Sequence, residues 1–257
     1  DFLALGRKDL ADGVDELILR MRNLQQEAEQ NEATRAESLQ SAPALSAGDA
    51  RKLLALASSK SDRDRNGEAE RDAIRAQQAF EELSDAQGAA DAVYQLSKIH
   101  FRQQEREVAA VEVAEALGRY RDLQFEPGIA RALSLQGRIA QSTGDFDTAG
   151  RVYREAAEIF ARRGEIQPMV GATAQMALLL RDQGRLAESL KTFLLAYRVA
   201  LPYNLPEGGR MMGDFARLRE AMGEDEFSAV WRRETGQQVP LEPLRAILKQ
   251  IHAQEQG

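Results

Sequence analysis

No cysteine occurs among the 257 residues, so disulfides, zinc-thiolate sites and a cysteine nucleophile are excluded. The redox compartment stays open, because cytosolic and periplasmic chains alike can do without thiols. Histidine is almost as scarce. His100 and His252 are the two present, and neither has a His or acidic partner at the spacing of an H-E-x-x-H zinc helix. The phosphate-cradling G-x-x-x-x-G-K-[ST] and G-x-G-x-x-G and the nucleophile elbow G-x-S-x-G are missing too. No uninterrupted apolar run approaches the roughly 20 residues of a spanning helix. Positive charge is in deficit, with 34 Lys and Arg against 41 Asp and Glu and a net charge of −7. A broad positive field, which non-specific binding to nucleic acid or anionic membrane needs, is therefore not expected.

What the chain has is helix-forming composition and a long period. Ala, Leu, Gln, Glu and Arg dominate, and all favour helix. Ala36, Ala76, Ala116, Ala156 and Ala196 stand 40 residues apart. Gly48, Gly88, Gly128, Pro168 and Gly208 form a second column in that register, at residue types that break or start helices. A third, Ala33, Ala73, Val113, Tyr153 and Phe193, grows from small to aromatic, and a fourth, Ala57, Ser97, Gly137 and Ala177, stays small. Several columns sharing one period predict stacked repeats, with the core spread along one elongated array.

The clearest unit runs from Gly128 to Gln167 as Leu133, Gln136, Gly137 and Ala140, a turn at Ser142-Thr143-Gly144-Asp145, then Ala149, Tyr153 and Ala156. The next carries Met176, Ala177 and Leu180, a turn at Asp182-Gln183-Gly184, then Ser189, Phe193 and Ala196. Poorer copies in register hold Leu96, Ser97, His100, Ala109, Val113 and Ala116, and before them Leu56, Ala57, Ala69, Ala73 and Ala76. The intervals from Gly137 to Ala149, Tyr153 and Ala156 match the tetratricopeptide pattern, in which small residues let two antiparallel helices approach and an aromatic fills the space between neighbours. The chain thus resembles the tetratricopeptide repeat family over residues 48–236. Its departure is the unit length, which exceeds the usual 34 or so by about three residues per helix. The resemblance implies an all-α fold, a right-handed α-solenoid of helix-turn-helix repeats. About four full units and a terminal pair are expected over residues 48–236.

Flanking segments complete this organisation. In residues 1–47, Val14, Leu17, Met21, Leu24 and Ala28 step by three and four and predict a long amphipathic helix continuing to about Leu39. Self-association and packing on the first repeat both fit it, and the shortness of the strongly apolar stretch favours packing. Trp231 is expected in a short helix closed by Gly236. Over residues 237–257, Pro240 and Pro243 introduce a capping helix through Leu244, Ile247, Leu248 and Ile251. An array end needs such a cap to keep its apolar face from water.

One stretch imitates a metal loop. Asp62, Asp64, Asn66 and Gly67 follow the opening of an EF-hand, but Ala73 stands where a bidentate Glu is required. The register makes Ala73 a packing residue and 62–67 an ordinary turn, so no metal is expected. His100 shares a column with Ala140 and Leu180 and reads as a packed repeat histidine.

In the family the first helix of each pair lines a concave face. Carried into this register, that geometry picks Arg51, Leu54 and Ser58, then Asp91, Tyr94, Lys98, Phe101 and Arg102, then Arg131, Ser134 and Arg138. Ala174, Leu178 and Arg181 follow, and finally Met211, Asp214 and Leu218. The partner-binding candidates are Arg51, Tyr94, Lys98, Phe101, Arg102, Arg131, Arg138, Leu178 and Arg181. Arg forks pair carboxylates and Tyr94 or Phe101 offers an apolar anchor, so an acidic-hydrophobic peptide or partner helix fits. A chaperone-tail clamp does not, because it relies on Asn as well as Lys, and the four Asn of this chain lie outside the groove set.

No nucleophile, base and orienting partner come together in the sequence, so neither catalysis nor a cofactor is expected. Two readings remain. One is a non-enzymatic interaction module, an adaptor or scaffold, holding a peptide or partner helix on its concave face. The other is the regulatory or sensory helical arm of a larger transcriptional or signalling protein. The chain begins at Asp1 rather than Met, as a trimmed or processed product would. Cytoplasmic localisation and no direct membrane insertion are the expectations, and the sequence leaves the oligomeric state open.

Overall fold

A computed structural model describes residues 45–255. The predicted amphipathic helix of residues 1–47 therefore lies almost wholly outside the described residues. Those described contain α-helices and one 3-10 turn and no strand. The helices are α1 (Ala47–Ser61), α2 (Asn66–Glu82), α3 (Ala86–Arg102), α4 (Arg106–Asp122), α5 (Glu126–Ser142), α6 (Phe146–Arg162), α7 (Ile166–Asp182) and α8 (Leu186–Ala200). After the turn at Leu201–Tyr203 come α9 (Pro206–Met222), α10 (Glu224–Thr235) and α11 (Leu241–Glu255). From Asn66 to Pro206 a helix begins every 20 residues.

Consecutive helices pack as pairs, α1 with α2 through to α7 with α8, and each pair packs on the next. This is an all-α solenoid of tetratricopeptide-like repeats. Odd helices α1, α3, α5, α7 and α9 also touch the next odd helix, whereas α2, α4 and α6 make no comparable contact with their even successors. The odd helices therefore form the inner face. At the C-terminal end α10 packs on α8 and α11 on α9, with Leu244 of α11 fully buried.

The small-residue columns explain why the pairs close so tightly. Ala76, Ala116 and Ala156 are fully buried, as are Ala73, Val113, Tyr153 and Phe193. A residue no larger than alanine lets two helix backbones approach, and the aromatic then fills the gap the twist opens. Where serine replaces alanine, its hydroxyl is satisfied across the same seam. Ser97 Oγ donates to the Ala109 carbonyl at 2.8 Å, and Ser189 Oγ to the Ala177 carbonyl at 2.7 Å.

The glycine column marks helix starts, as its residue types suggest, and two of its members have a packing role besides. Gly88, Gly128 and Gly208 lie inside the first turns of α3, α5 and α9 rather than between helices. Gly88 and Gly128 make room for a ring of the preceding helix: a Cβ on Gly88 would stand 2.3 Å from the Phe80 ring and one on Gly128 2.4 Å from the Tyr120 ring, whereas one on Gly208 would meet Ala200 and Tyr197 only at an ordinary 3.8 Å. The packing partner is thus a column of its own, Phe80, Tyr120 and Phe160, at the same 40-residue interval.

Turns between helices share one backbone device. Asp64, Ser84, Gln104, Gln124, Gly144, Gly164, Gly184 and Asn204 all have positive φ, again every 20 residues. Gly adopts that conformation freely, whereas an L side chain pays about 1 kcal/mol or more there. Gln104 (φ 68°) and Gln124 (φ 52°) carry this strain without the local hydrogen-bonding advantage of Asp or Asn. Gln104→Gly and Gln124→Gly should each stabilise the protein by about 0.5–1 kcal/mol once the extra entropy of glycine is subtracted. Urea unfolding monitored by circular dichroism checks this, and a lowered midpoint for both variants contradicts it.

Residues 62–65 form a turn and α2 begins at Asn66. Asp62 binds Arg102 Nη2 at 2.5 Å and Asn66 Oδ1 accepts from Ser61 Oγ at 3.1 Å, so two of the EF-hand-like oxygens are already engaged. Ala73 is fully buried in the seam. His100 is packed as its column implies. Its Nδ1 lies 2.7 Å from Glu112 Oε2 and its Nε2 4.0 Å from Glu70 Oε1, tying α3 to α4 and α2. The Glu112 hydrogen bond holds the imidazole pKa above its usual value against the opposing effect of burial.

Candidate functional site

Along the inner face, α3 and α5 bring most of the candidate residues together. Tyr94, Lys98 and Arg131 line two adjoining cavities at once. The first, about 430 Å³, continues toward α1 through Arg51, Leu54, Ser58 and Asp91. The second, about 290 Å³, continues toward α7 through Ser134, Arg138, Gly171 and Gln175, over a floor of Leu135, Phe160 and Ala172. One groove crossing four repeat pairs results.

Several cations of this groove are already neutralised by the protein. Arg51 Nη2 contacts Asp85 Oδ2 at 2.6 Å, the same Asp85 whose other oxygen caps α3 through the Gly88 amide at 2.9 Å. Arg102 turns away from the groove, to Asp62 and to Ser61 Oγ at 3.1 Å. Arg131 is held by Asp91 at 3.2 Å and lies over the Tyr94 ring at 5.7 Å. Asp91 in turn accepts the Tyr120 hydroxyl at 2.7 Å. That bond and burial both push the Tyr120 pKa upward, burial the more strongly. Arg181 contacts Asp182 at 3.1 Å and Asp214 at 3.8 Å.

Lys98 and Arg138 differ from these. Among the described residues neither forms an ion pair with a carboxylate. Lys98 Nζ donates to Gln95 Oε1 at 3.1 Å and sits 6.0 Å from the Tyr94 ring centre, while the Arg138 guanidinium lies 5.0 Å over Phe101. Gln95 is itself buried, and its Nε2 has no partner. The groove centre therefore holds two uncompensated positive charges beside aromatic faces, a setting that favours an anionic group.

The candidates sort accordingly. Arg51, Tyr94, Lys98, Arg131 and Arg138 line the cavities. Phe101 supports Arg138 from beneath. Arg102, Leu178 and Arg181 line neither cavity, and Leu178 packs partly into the core around Phe193 and Phe215. Two further groove positions taken from the register, Met211 and Leu218, are core residues with 2% and 0% exposure, because α9 is covered by α10 and α11. Gln87, Gln95, Pro168, Gly171 and Gln175 line the cavities and were not anticipated. Gly171 had a signal, since it falls in the column of Asp91 and Arg131, but a glycine offers no side chain to mark a surface.

A second cleft, about 520 Å³, lies between α6 and α8 over the end of α7, lined by Phe146, Arg151, Arg154, Met176, Leu180 and Lys191 among others. Among the described residues no group of three His, Asp or Glu side chains is placed to hold a metal ion. None of the described helices is long and apolar enough to cross a membrane.

The chain matches no family model and no curated protein by sequence. Its fold does match solved structures. A Podosopora anserina putative kinesin light chain with nearly identical TPR-like repeats superposes with a TM-score of 0.61 at 13% identity, covering 80% of this chain and 98% of that one. A Rap protein complexed with competence and sporulation factor gives 0.59 at 14% identity, over 79% of this chain and 66% of that one. BtubC from P. vanneervenii gives 0.54 at 19% identity, over 89% and 92%. At such identities the shared property is the tetratricopeptide-like fold.

Proposed function

We propose that this chain is a non-enzymatic interaction module that holds a peptide or partner helix of acidic-hydrophobic character along its inner face. The observation carrying this reading is the continuous groove over α1, α3, α5 and α7, with Lys98 and Arg138 unpaired at its centre. An acidic side chain of the ligand satisfies those cations, and an apolar one covers the floor of Leu135, Phe160 and Ala172. Arg51 and Arg131, already held by Asp85 and Asp91, act as fixed walls more than as charge donors. The Rap protein complexed with competence and sporulation factor lends support, as a protein of this fold that holds a ligand.

The test is selection from a random peptide library displayed on phage, followed by affinity measurement on synthetic binders. Lys98→Glu combined with Arg138→Glu should weaken those binders by about a hundredfold or more, the scale of losing two anchor residues. Arg71→Glu combined with Arg198→Glu, exposed positions on even helices, makes the same charge change away from the groove. Equal losses from both pairs would reduce the attraction to unspecific charge and remove the groove as the site. Raising salt should weaken the wild-type complex, since part of the attraction is exposed Coulomb energy.

A further inference from the structure

Lys98 is chemically unlike the other lysines of the paired helices α1–α8. Lys60 is held by Asp72 at 2.6 Å and Glu68 at 3.5 Å, Lys52 by Asp49 at 3.1 Å, and Lys191 by Glu234 at 3.6 Å. Each of those carboxylates stabilises an ammonium and blunts its reactivity. Lys98 has no carboxylate in ion-pair contact among the described residues, only the neutral Gln95 Oε1 and the Tyr94 face. It is half-buried yet opens into both groove cavities, so a small reagent can reach its nitrogen. Arg131 and Arg138 line the same cavity as Lys98, and Arg138, which pairs with no carboxylate among the described residues, sets a free planar anion-binding group beside the amine.

These features point beyond ligand holding to covalent chemistry. We infer that Lys98 is a nucleophilic lysine and the acylation site of the groove, taking an acyl group from an anionic acyl donor, an acyl phosphate, seated against Arg138. The free amine attacks the acyl carbonyl carbon, and the bond from that carbon to the phosphate oxygen breaks. Phosphate leaves, and the nitrogen sheds its proton to water, so the products are an amide and inorganic phosphate. Burial first, and then the nearby Arg102, Arg131 and Arg138, lower the Lys98 pKa against the opposing pull of Asp62, which enlarges the free-amine fraction near neutral pH. The amide product carries no charge, so it removes the cost of a half-buried ammonium among guanidiniums. It also erases one of the two free cations on which an acidic ligand depends, giving the groove a covalent off-state.

Purified full-length protein treated with acetyl phosphate, and in parallel with the uncharged reagent N-hydroxysuccinimide acetate, tests the inference by site-resolved mass spectrometry over a series of pH values. Near neutral pH, Lys98 should acetylate several-fold faster than Lys52 and Lys249 with both reagents, and the advantage should shrink as pH rises and every amine deprotonates. Arg138→Met, checked for unchanged helicity, should lower the acetyl phosphate rate at Lys98 more than the rate with the neutral ester. A Lys98 slower than or equal to the exposed lysines overturns the assignment within the wild-type protein alone. Equal slowing by Arg138→Met with the two reagents overturns the anionic donor. Neither readout requires a peptide ligand, so the acylation site and the interaction reading fail separately.

Discussion

Ala156→Arg should destabilise this protein by about 3 kcal/mol or more, the cost of an unpaired charge forced into a packed interior. Ala156 is fully buried on α6, in one core cluster with Val152, Ile159, Phe160, Leu133 and Leu135. None of these can receive a guanidinium. The seam between α5 and α6 is closed by the smallness of this column, and a longer side chain either prises the helices apart or folds back against its own helix. In a repeat array each pair is stabilised by its neighbours, so loosening this central pair also weakens the interfaces with α4 and α7. Thermal melting followed at the helical signal reads the loss. An unchanged melting temperature would place Ala156 outside the seam.

Columns of this kind are why so much of the fold was legible. Ala76, Ala116 and Ala156 recur because backbone approach tolerates nothing larger, and that steric demand is written in residue identity at a fixed interval. The aromatic partners of the glycines were less visible. Gly88 and Gly128 are two or three residues into their helices, where glycine usually signals a boundary. The reason for them lies in Phe80 and Tyr120, eight residues earlier on another helix. The left-handed turn positions were hidden at Gln104 and Gln124 because glutamine is not a residue that marks positive φ, although Gly144, Gly164 and Gly184 in the same series do.

The groove was legible in position more than in chemistry. Register placed Tyr94, Lys98, Arg131 and Arg138 on one face, and the structure brings these four around one cavity. Which cations are spent depended on partners that sequence spacing does not expose. Arg102 finds Asp62, and Arg131 finds Asp91, each 40 residues back and one pair away. Charge read per helix therefore overstates Arg102 and understates Lys98, whose isolation arises because Gln95, and not a carboxylate, is its neighbour. Met211 and Leu218 failed for a different reason. The rule that first helices line the groove holds inside the array, but the end pair is wrapped by α10 and α11.

Gly128→Val should destabilise by roughly 3 kcal/mol, the upper end of the overpacking range, and should disturb the groove as well. Its Cβ alone would stand 2.4 Å from Cδ1 and 2.6 Å from Cγ of Tyr120, a fully buried ring with no open side to move toward. Displacing the ring also breaks the hydroxyl's bond to Asp91, the carboxylate that holds Arg131 over Tyr94. Asp91 then keeps Arg131 as its remaining groove partner, and the wall of both cavities loses its anchor to α4. Gly118→Val is the internal comparison, because Gly118 is exposed on α4 and a Cβ there meets nothing within 4 Å. That change should stay within about 0.5 kcal/mol of the parent, as surface substitutions usually do. Urea midpoints for the two variants, with peptide affinity measured on each, separate packing from charge. Parent-like stability in Gly128→Val would mean that the glycine column does not exist to seat the aromatic one, and the link from core to groove would fall with it.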